Sequence, residues 1–105
     1  MKVDFHRELK TLDGRSIRFN DKERMTLKDV AIEALLAAFD DERQLNGTDK
    51  ARRYVLSTRI YSSSNADLTT EEVAEIKKVI GKGFGPLIVG QAFDMLEGKT
   101  EGPKG

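Results

Sequence analysis

The first part of the chain alternates apolar and polar residues with a period of two. Val3, Phe5 and Leu9 are separated by charged residues, and the turn-forming pair Asp13-Gly14 follows before Ile17 and Phe19 resume the alternation. An Asp-Gly pair between two alternating runs is a strong hairpin signal, because a type I′ turn needs positive φ at both central residues. The pattern predicts a β-hairpin over residues 3–19. Two strands alone are marginally stable in water, so we expect their apolar face to pack on the rest of the chain.

From residue 26 onward the apolar residues recur with the helical period of 3.6. The predicted helices cover about residues 26–43, 48–62, 70–80 and 86–97. The predicted N-caps are Thr26, Thr48 and Thr69. Pro86 suits the first turn of the fourth helix, and Gly81 is the expected end of the third. Between residues 30 and 39 only Glu33 is polar, which predicts that the first helix is central and contacts neighbours on several sides.

These elements predict an α+β fold, mostly α, with the N-terminal β-hairpin packed on a compact four-helix domain. A chain of 105 residues is sufficient for one core, so residues 1–98 are expected to form a single domain. Residues 99–105 contain no apolar side chain to bury and are predicted to form a flexible tail. With 38% hydrophobic and 34% charged residues, most elements should have one buried and one solvated face.

The second helix carries two sets of residues, each of which could be buried in the core or form an exposed binding surface. One stripe comprises Ala51, Tyr54, Val55, Thr58 and Tyr61. The other side combines basic and aliphatic residues, namely Arg52, Arg53, Leu56, Arg59 and Ile60. Arginine beside aliphatic side chains is typical of protein interfaces, so we predict that the second set is a partner-binding strip.

A simpler interpretation of these arginines rests on the charge distribution. The formal net charge is zero, but residues 33–49 carry a balance of −4 and residues 50–59 a balance of +4. The two blocks could neutralise each other across the turn that joins them. A third interpretation is a nucleic-acid regulator that uses the basic second helix. The neutral total charge disfavours it, as do Gln91, Asp94 and Glu97 at exposed positions of the fourth helix.

Candidate reactive groups are few. The chain has no Cys and a single histidine, His6, which falls in the predicted hairpin. The acidic run Asp40–Glu42 lacks the alternating ligand spacing of a calcium loop and is interpreted as a solvated helix end. The serines of residues 62–64 have no nearby base, so we interpret them as a linker. We therefore predict a non-enzymatic protein without catalytic residues, metal or other cofactor.

The glycine-rich segment Gly81–Pro86 has two interpretations. Backbone N–H groups of such a loop can cradle an anion at the start of a helix, but the Walker and dinucleotide-binding spacings are absent. A structural turn with positive φ at the helix exit accounts for the glycines more simply. Anion binding by this turn stays open from the sequence.

The order of motifs resembles that of small proteins encoded in the genomes of tailed bacteriophages and prophages. The residues concerned are the Leu-Asp-Gly turn, the Thr-Leu-Lys-Asp-Val and Lys-Ala-Arg-Arg-Tyr segments, and Ile-Gly-Lys-Gly-Phe-Gly-Pro-Leu-Ile-Val-Gly-Gln-Ala-Phe. The resemblance covers residues 3–97 and transfers no site residues. It implies a bacterial cytoplasm and a role in virion assembly or in modulating a host or phage factor, through a protein partner or self-association. The longest apolar run has six residues, Ala34–Phe39, so neither a membrane span nor export is expected.

Overall fold

The computed structural model describes residues 2–18, 23–42, 44–63 and 65–98. Along the chain lie β1 (Lys2–Asp4), α1 (Leu27–Leu36), a 3₁₀ turn (Asp40–Glu42), α2 (Gly47–Ser62), β2 (Asn65–Asp67), α3 (Thr70–Gly83) and α4 (Pro86–Leu96). The predicted fold class, α+β and mostly α, is confirmed. The predicted tail, the last residue of the predicted hairpin and Ser64 lie outside the described residues.

The N-terminal strand pairs with a segment from the middle of the chain. β1 and β2 are antiparallel, with Val3 opposite Ala66, and both of these side chains are buried. Neither three-residue strand would be stable alone, because it buries only one side chain. The pairing fixes the start of the chain against the connection between α2 and α3.

The predicted turn at Asp13-Gly14 is present with a different geometry. The Thr11 N–H donates to the Arg15 carbonyl, and the Gly14 N–H donates to the Thr11 carbonyl. Only Gly14 has positive φ, at 91°, so the loop is a three-residue hairpin connection and not a type I′ turn. A turn of this kind needs a left-handed residue at one position, which glycine adopts without strain.

Three extended segments around this turn join through a closed ring of backbone hydrogen bonds. The Leu9 N–H donates to the Met25 carbonyl, that of Ile17 to the Leu9 carbonyl, and that of Met25 to the Ile17 carbonyl, over 2.9, 3.0 and 2.7 Å. Leu9 is buried, and the other two side chains pack against the core. Since neighbouring residues in an extended segment point to opposite sides, the residues flanking each of the three lie on the outer side of this ring.

Each of the helices α1, α2 and α3 follows an N-cap residue whose side chain accepts a hydrogen bond from a backbone N–H of the first turn. Thr26 accepts from the Asp29 N–H, and Thr69 from the Glu72 N–H, and in both cases the carboxylate accepts from the cap N–H in return. α2 is capped by Asn46, two residues before the predicted Thr48, through a 2.8 Å bond from the Asp49 N–H. Each capped start satisfies N–H groups that a helix leaves without partners.

Two helix ends differ from prediction. α1 stops at Leu36 with an extended Ala37, whereas the pattern predicted helix to about residue 43. The 3₁₀ turn that follows holds Glu42 toward α2, which a continuous helix could not do in the same way. α3 continues through Gly81 to Gly83, with the Phe84 N–H donating to the Ile80 carbonyl.

The core forms around α1, which contacts α2, α3 and α4 as predicted for a central helix. Val30, Ala31, Ala34 and Leu35 of α1 are all buried. α4 is also tied to the N-terminal region by the Gln91 amide, which accepts from the Lys10 N–H over 2.8 Å and donates to the Lys10 carbonyl over 2.7 Å. The side chain thus pairs with the backbone as a neighbouring strand would.

Candidate functional site

α2 separates its residues into one buried and one exposed face. The buried residues are Arg53, Leu56, Ser57 and Ile60, at the i, i+3, i+4, i+7 spacing of a single helix face. Ile60 is fully buried, and Leu56 and Arg53 are each 4% exposed. Ser57 satisfies its hydroxyl by donating to the Arg53 carbonyl over 2.9 Å.

The predicted partner-binding strip is therefore wrong as a surface. Leu56 and Ile60 belong to the core, and Arg53 is enclosed among carboxylates, so none of the three is available to a partner. Arg52 and Arg59 do remain exposed, the first paired with Asp49 and the second with Glu72. The physical reason is that Arg53 finds carboxylates on two neighbouring elements, so the face that it shares with Leu56 and Ile60 turns inward.

Arg53 is the centre of a buried ion-pair cluster that connects three elements. Its Nη1 and Nη2 donate to the two carboxylate oxygens of Glu42 over 2.7 and 2.8 Å, and its Nε donates to Glu75 on α3 over 2.6 Å. Lys82 of α3 donates to Glu42 over 2.7 Å and lies 3.1 Å from Asp41. The bidentate geometry suits a planar guanidinium and fixes the 3₁₀ turn against α2 and α3.

The cluster shifts the protonation of its members toward the charged forms. Hydrogen bonds from Arg53, and then from Lys82, lower the pKa of Glu42 from 4.5 to about 2, although burial of the carboxylate opposes this. The bond to Glu42 raises the pKa of Arg53, and the same carboxylate raises the pKa of Lys82. Glu42, Arg53 and Lys82 are therefore charged at neutral pH and satisfy one another, as in a structural cluster.

The acidic run consequently has a role different from the predicted solvated helix end. Asp40 and Asp41 are exposed, but Glu42 turns inward and completes the coordination of Arg53. A depression of about 440 Å³ lies beside this pair, between the end of α1 and the start of α2. Since every guanidinium nitrogen of Arg53 already donates to a carboxylate, that arginine is not available to a ligand there.

The outer face of α2 carries the stripe that the sequence placed apart from the arginines. All five of its residues are exposed, and they are Ala51, Tyr54, Val55, Thr58 and Tyr61. The exposed fractions of Tyr54, Val55 and Tyr61 are 62%, 54% and 72%. Tyrosine tolerates exposure because its ring is apolar and its hydroxyl is polar, so the two tyrosines are compatible with the outer face without identifying it.

α1 extends this exposed surface. Leu36 at its end is 57% exposed, and at its start the Lys28 ammonium lies 5.1 Å from the centre of the Tyr61 ring. A depression of about 480 Å³ runs along α1 beside Tyr61. Its lining residues are Lys28, Asp29, Ile32, Glu33, Leu36, Ala37 and Tyr61. We call the exposed stripe of α2 together with Leu36 the tyrosine face.

Each of the remaining candidates forms a hydrogen bond with a residue close to it in the chain. His6 is exposed, and its backbone N–H donates to Asp4. The hydroxyls of Ser62 and Ser63 donate to the carbonyls of Thr58 and Asn65, over 2.6 and 2.7 Å. Within the described ranges no group of three or more His, Cys, Asp or Glu residues is placed to hold a metal ion. Nor does the described part of the chain contain a helix with the length and apolar character needed to cross a membrane.

The glycine-rich segment does not have the backbone that the structural-turn interpretation assumed. Gly81 and Gly83 are helical, Gly85 caps α4, and among the described residues only Gly14 and Gly98 have positive φ. A Cβ on Gly83 would lie 3.6 Å from the Phe39 ring, an ordinary packing distance. Gly81 and Gly83 therefore lie where α3 meets the rings of Phe93 and Phe39, and the turn is made at Phe84–Gly85.

Comparison of the chain with protein-family models, with curated proteins and with solved structures found no match. The function must therefore be argued from the surfaces of this molecule.

Proposed function

We propose that this chain is a small non-enzymatic protein that acts by binding another protein through the tyrosine face. The observation that carries the proposal is the exposure of Tyr54, Val55 and Tyr61 on one side of α2, next to the exposed Leu36. Aromatic residues are enriched at the centres of protein interfaces, where a tyrosine ring buries a large area and its hydroxyl keeps a hydrogen bond.

The extent of the face favours a partner that surrounds it. α2 has 16 residues and is about 24 Å long, so the outer half of a cylinder about 10 Å wide offers roughly 380 Å². A stable interface buries about 800 Å² on each partner. Two copies meeting through α2 alone would fall well short of this area. A concave apolar surface on a different protein could cover the helix and also fill the depression beside Tyr61.

The setting follows from the resemblance to small phage and prophage proteins. We propose virion assembly, or modulation of a host or phage factor, in the bacterial cytoplasm. The alternative, a nucleic-acid regulator using the basic side of α2, is less favoured because the arginines of that helix are engaged with carboxylates. Arg53 is buried between Glu42 and Glu75, and Arg59 pairs with Glu72 over 2.6 Å.

The double variant Tyr54→Asp/Tyr61→Asp is expected to weaken partner binding by about tenfold or more, since interface residues of this kind carry most of the binding energy. Because both side chains are exposed, the free energy of unfolding should change by no more than about 0.5 kcal/mol per site. The measurement is affinity capture by the immobilised full chain from extracts of phage-infected and lysogenic bacteria, with urea unfolding in parallel.

The control is Leu12→Asp, which places one such negative charge on an apolar residue that is 96% exposed and lies outside the face. A protein retained by the wild type and by Leu12→Asp but lost with the double variant supports the proposal. Equal retention by all three chains contradicts it. Sedimentation of the chain alone supplies a further test, since a dimer that dissociates in the double variant would show a second copy as the occupant and overturn binding to a different protein.

A further inference from the structure

The outer side of the backbone ring carries three arginines, Arg15 and Arg18 from the segment of Ile17 and Arg24 from the segment of Met25. Arg18 and Arg24 are directly opposite in an antiparallel bridge, and Ser16 lies two residues before Arg18 on the same side. These residues line an open depression of about 460 Å³ together with Thr11 and Arg15. The ring thus brings three guanidinium groups and two hydroxyls to one surface.

Carboxylates neutralise only part of this charge. Asp13 lies 2.9 Å from Arg15, and Glu8 lies 3.4 Å from Arg24 and also accepts from the Ser16 hydroxyl over 2.9 Å. Arg18 has no ion pair with any residue that the structure describes. Like charges directly opposite in a β-bridge destabilise each other, so the pair Arg18 and Arg24 costs stability unless an anion lies between them.

From this arrangement we infer a second binding surface, distinct from the tyrosine face, which takes the phosphodiester backbone of a nucleic acid. Guanidinium groups donate in a fork that matches phosphate oxygens, and Arg18 makes no ion pair with a described residue that would compete for its donors. The depression is open and its donors are guanidinium groups suited to phosphate oxygens, so we expect backbone contacts to dominate and the binding to be independent of sequence. We call Arg15, Arg18 and Arg24 the arginine cluster.

The exposure of the cluster favours a polymer over a single small anion. The Arg15 and Arg24 side chains are 82% and 57% exposed, and a lone ion pair at such sites contributes little in water. A nucleic-acid strand contacts several arginines at once and releases condensed counterions from its backbone for each of them. Charge neutrality of the whole chain does not prevent this, because three arginines against the two carboxylates of Asp13 and Glu8 leave a local excess of positive charge.

The test measures binding of the full chain to a fluorescently labelled oligonucleotide, single-stranded in one arm and duplex in the other, by anisotropy over a range of salt. Replacing all three arginines of the cluster by glutamine is expected to weaken binding tenfold or more. It should also reduce the slope of log K against log salt concentration by about 2 to 3. The arm with the tighter binding identifies the form of nucleic acid that is preferred.

The control variant removes the same charge elsewhere, as Lys50→Gln/Arg52→Gln/Lys78→Gln, and should bind as the wild type does. Glu8→Gln should have the opposite effect and tighten binding of the oligonucleotide, because it removes the carboxylate that pairs with Arg24. Absence of binding at low salt overturns the inference, as does an equal loss in the control variant. An acidic polyglutamate peptide that binds as tightly as the oligonucleotide would also overturn it, by showing that the surface takes acidic protein segments.

Discussion

Replacement of Arg53 by methionine is expected to lower the free energy of unfolding by about 3–5 kcal/mol, the usual cost of removing one partner from a buried ion pair. Methionine keeps the apolar stem but leaves the carboxylates of Glu42 and Glu75 without the guanidinium that now bonds both. Lys82 would still donate to Glu42, so the loss falls mainly on the junction between the 3₁₀ turn and α2. Urea unfolding at neutral pH measures the effect.

The adjacent Arg52→Met is the matched control, because that side chain is 69% exposed and its pair with Asp49 lies on the surface. It should change the free energy of unfolding by no more than about 0.5 kcal/mol. The double variant Arg53→Met/Glu42→Gln should recover part of the loss, since the amide removes the uncompensated charge. Equal effects of Arg53→Met and Arg52→Met would show that the cluster does not hold the fold together.

The same cluster gives the stability a defined dependence on pH. The pKa of Glu42 is about 2 in the folded chain against 4.5 ordinarily, so its stabilising contribution is present above about pH 5 and is lost as the pH falls toward 2. Glu42→Gln lacks this contribution. The difference in free energy of unfolding between wild type and Glu42→Gln should therefore shrink steadily over that pH window. A constant difference would contradict the assignment.

The features that the sequence predicted correctly are those set by residues close together in the chain. Thr26 and Thr69 cap their helices through side chains three residues away, and Pro86 opens α4 because a helix start does not use its missing N–H. The apolar run of α1 identified the central helix because almost every side of it is apolar. Each of these signals is complete within a few residues.

The features that could not be predicted depend on residues far apart. β1 pairs with β2 across most of the chain, and three-residue strands carry too little pattern to reveal a partner. The two faces of α2 were both plausible cores by periodicity. Their assignment is decided by Arg53, which needs Glu42 from the 3₁₀ turn and Glu75 from α3 to become buried. No local pattern predicts that three such groups converge, and so the binding strip was placed on the wrong side.

The neighbouring residues Leu56 and Val55 test this reversal of faces directly. Leu56→Ala is expected to lower the free energy of unfolding by about 2–5 kcal/mol, because the side chain is 4% exposed and its removal leaves a cavity in the core. Val55→Ala should have an effect within about 0.5 kcal/mol, since Val55 is 54% exposed and alanine is the better helix former. Both values come from urea unfolding.

The effects of these two substitutions on partner binding should be the reverse of their effects on stability. Val55 belongs to the tyrosine face, so Val55→Ala is expected to weaken capture of a partner, whereas Leu56→Ala should leave capture intact under conditions where that variant is still folded. A large loss of stability from Val55→Ala with little from Leu56→Ala would mean that α2 is rotated relative to the structure. The tyrosines would then be buried, and the proposed binding face would be lost with them.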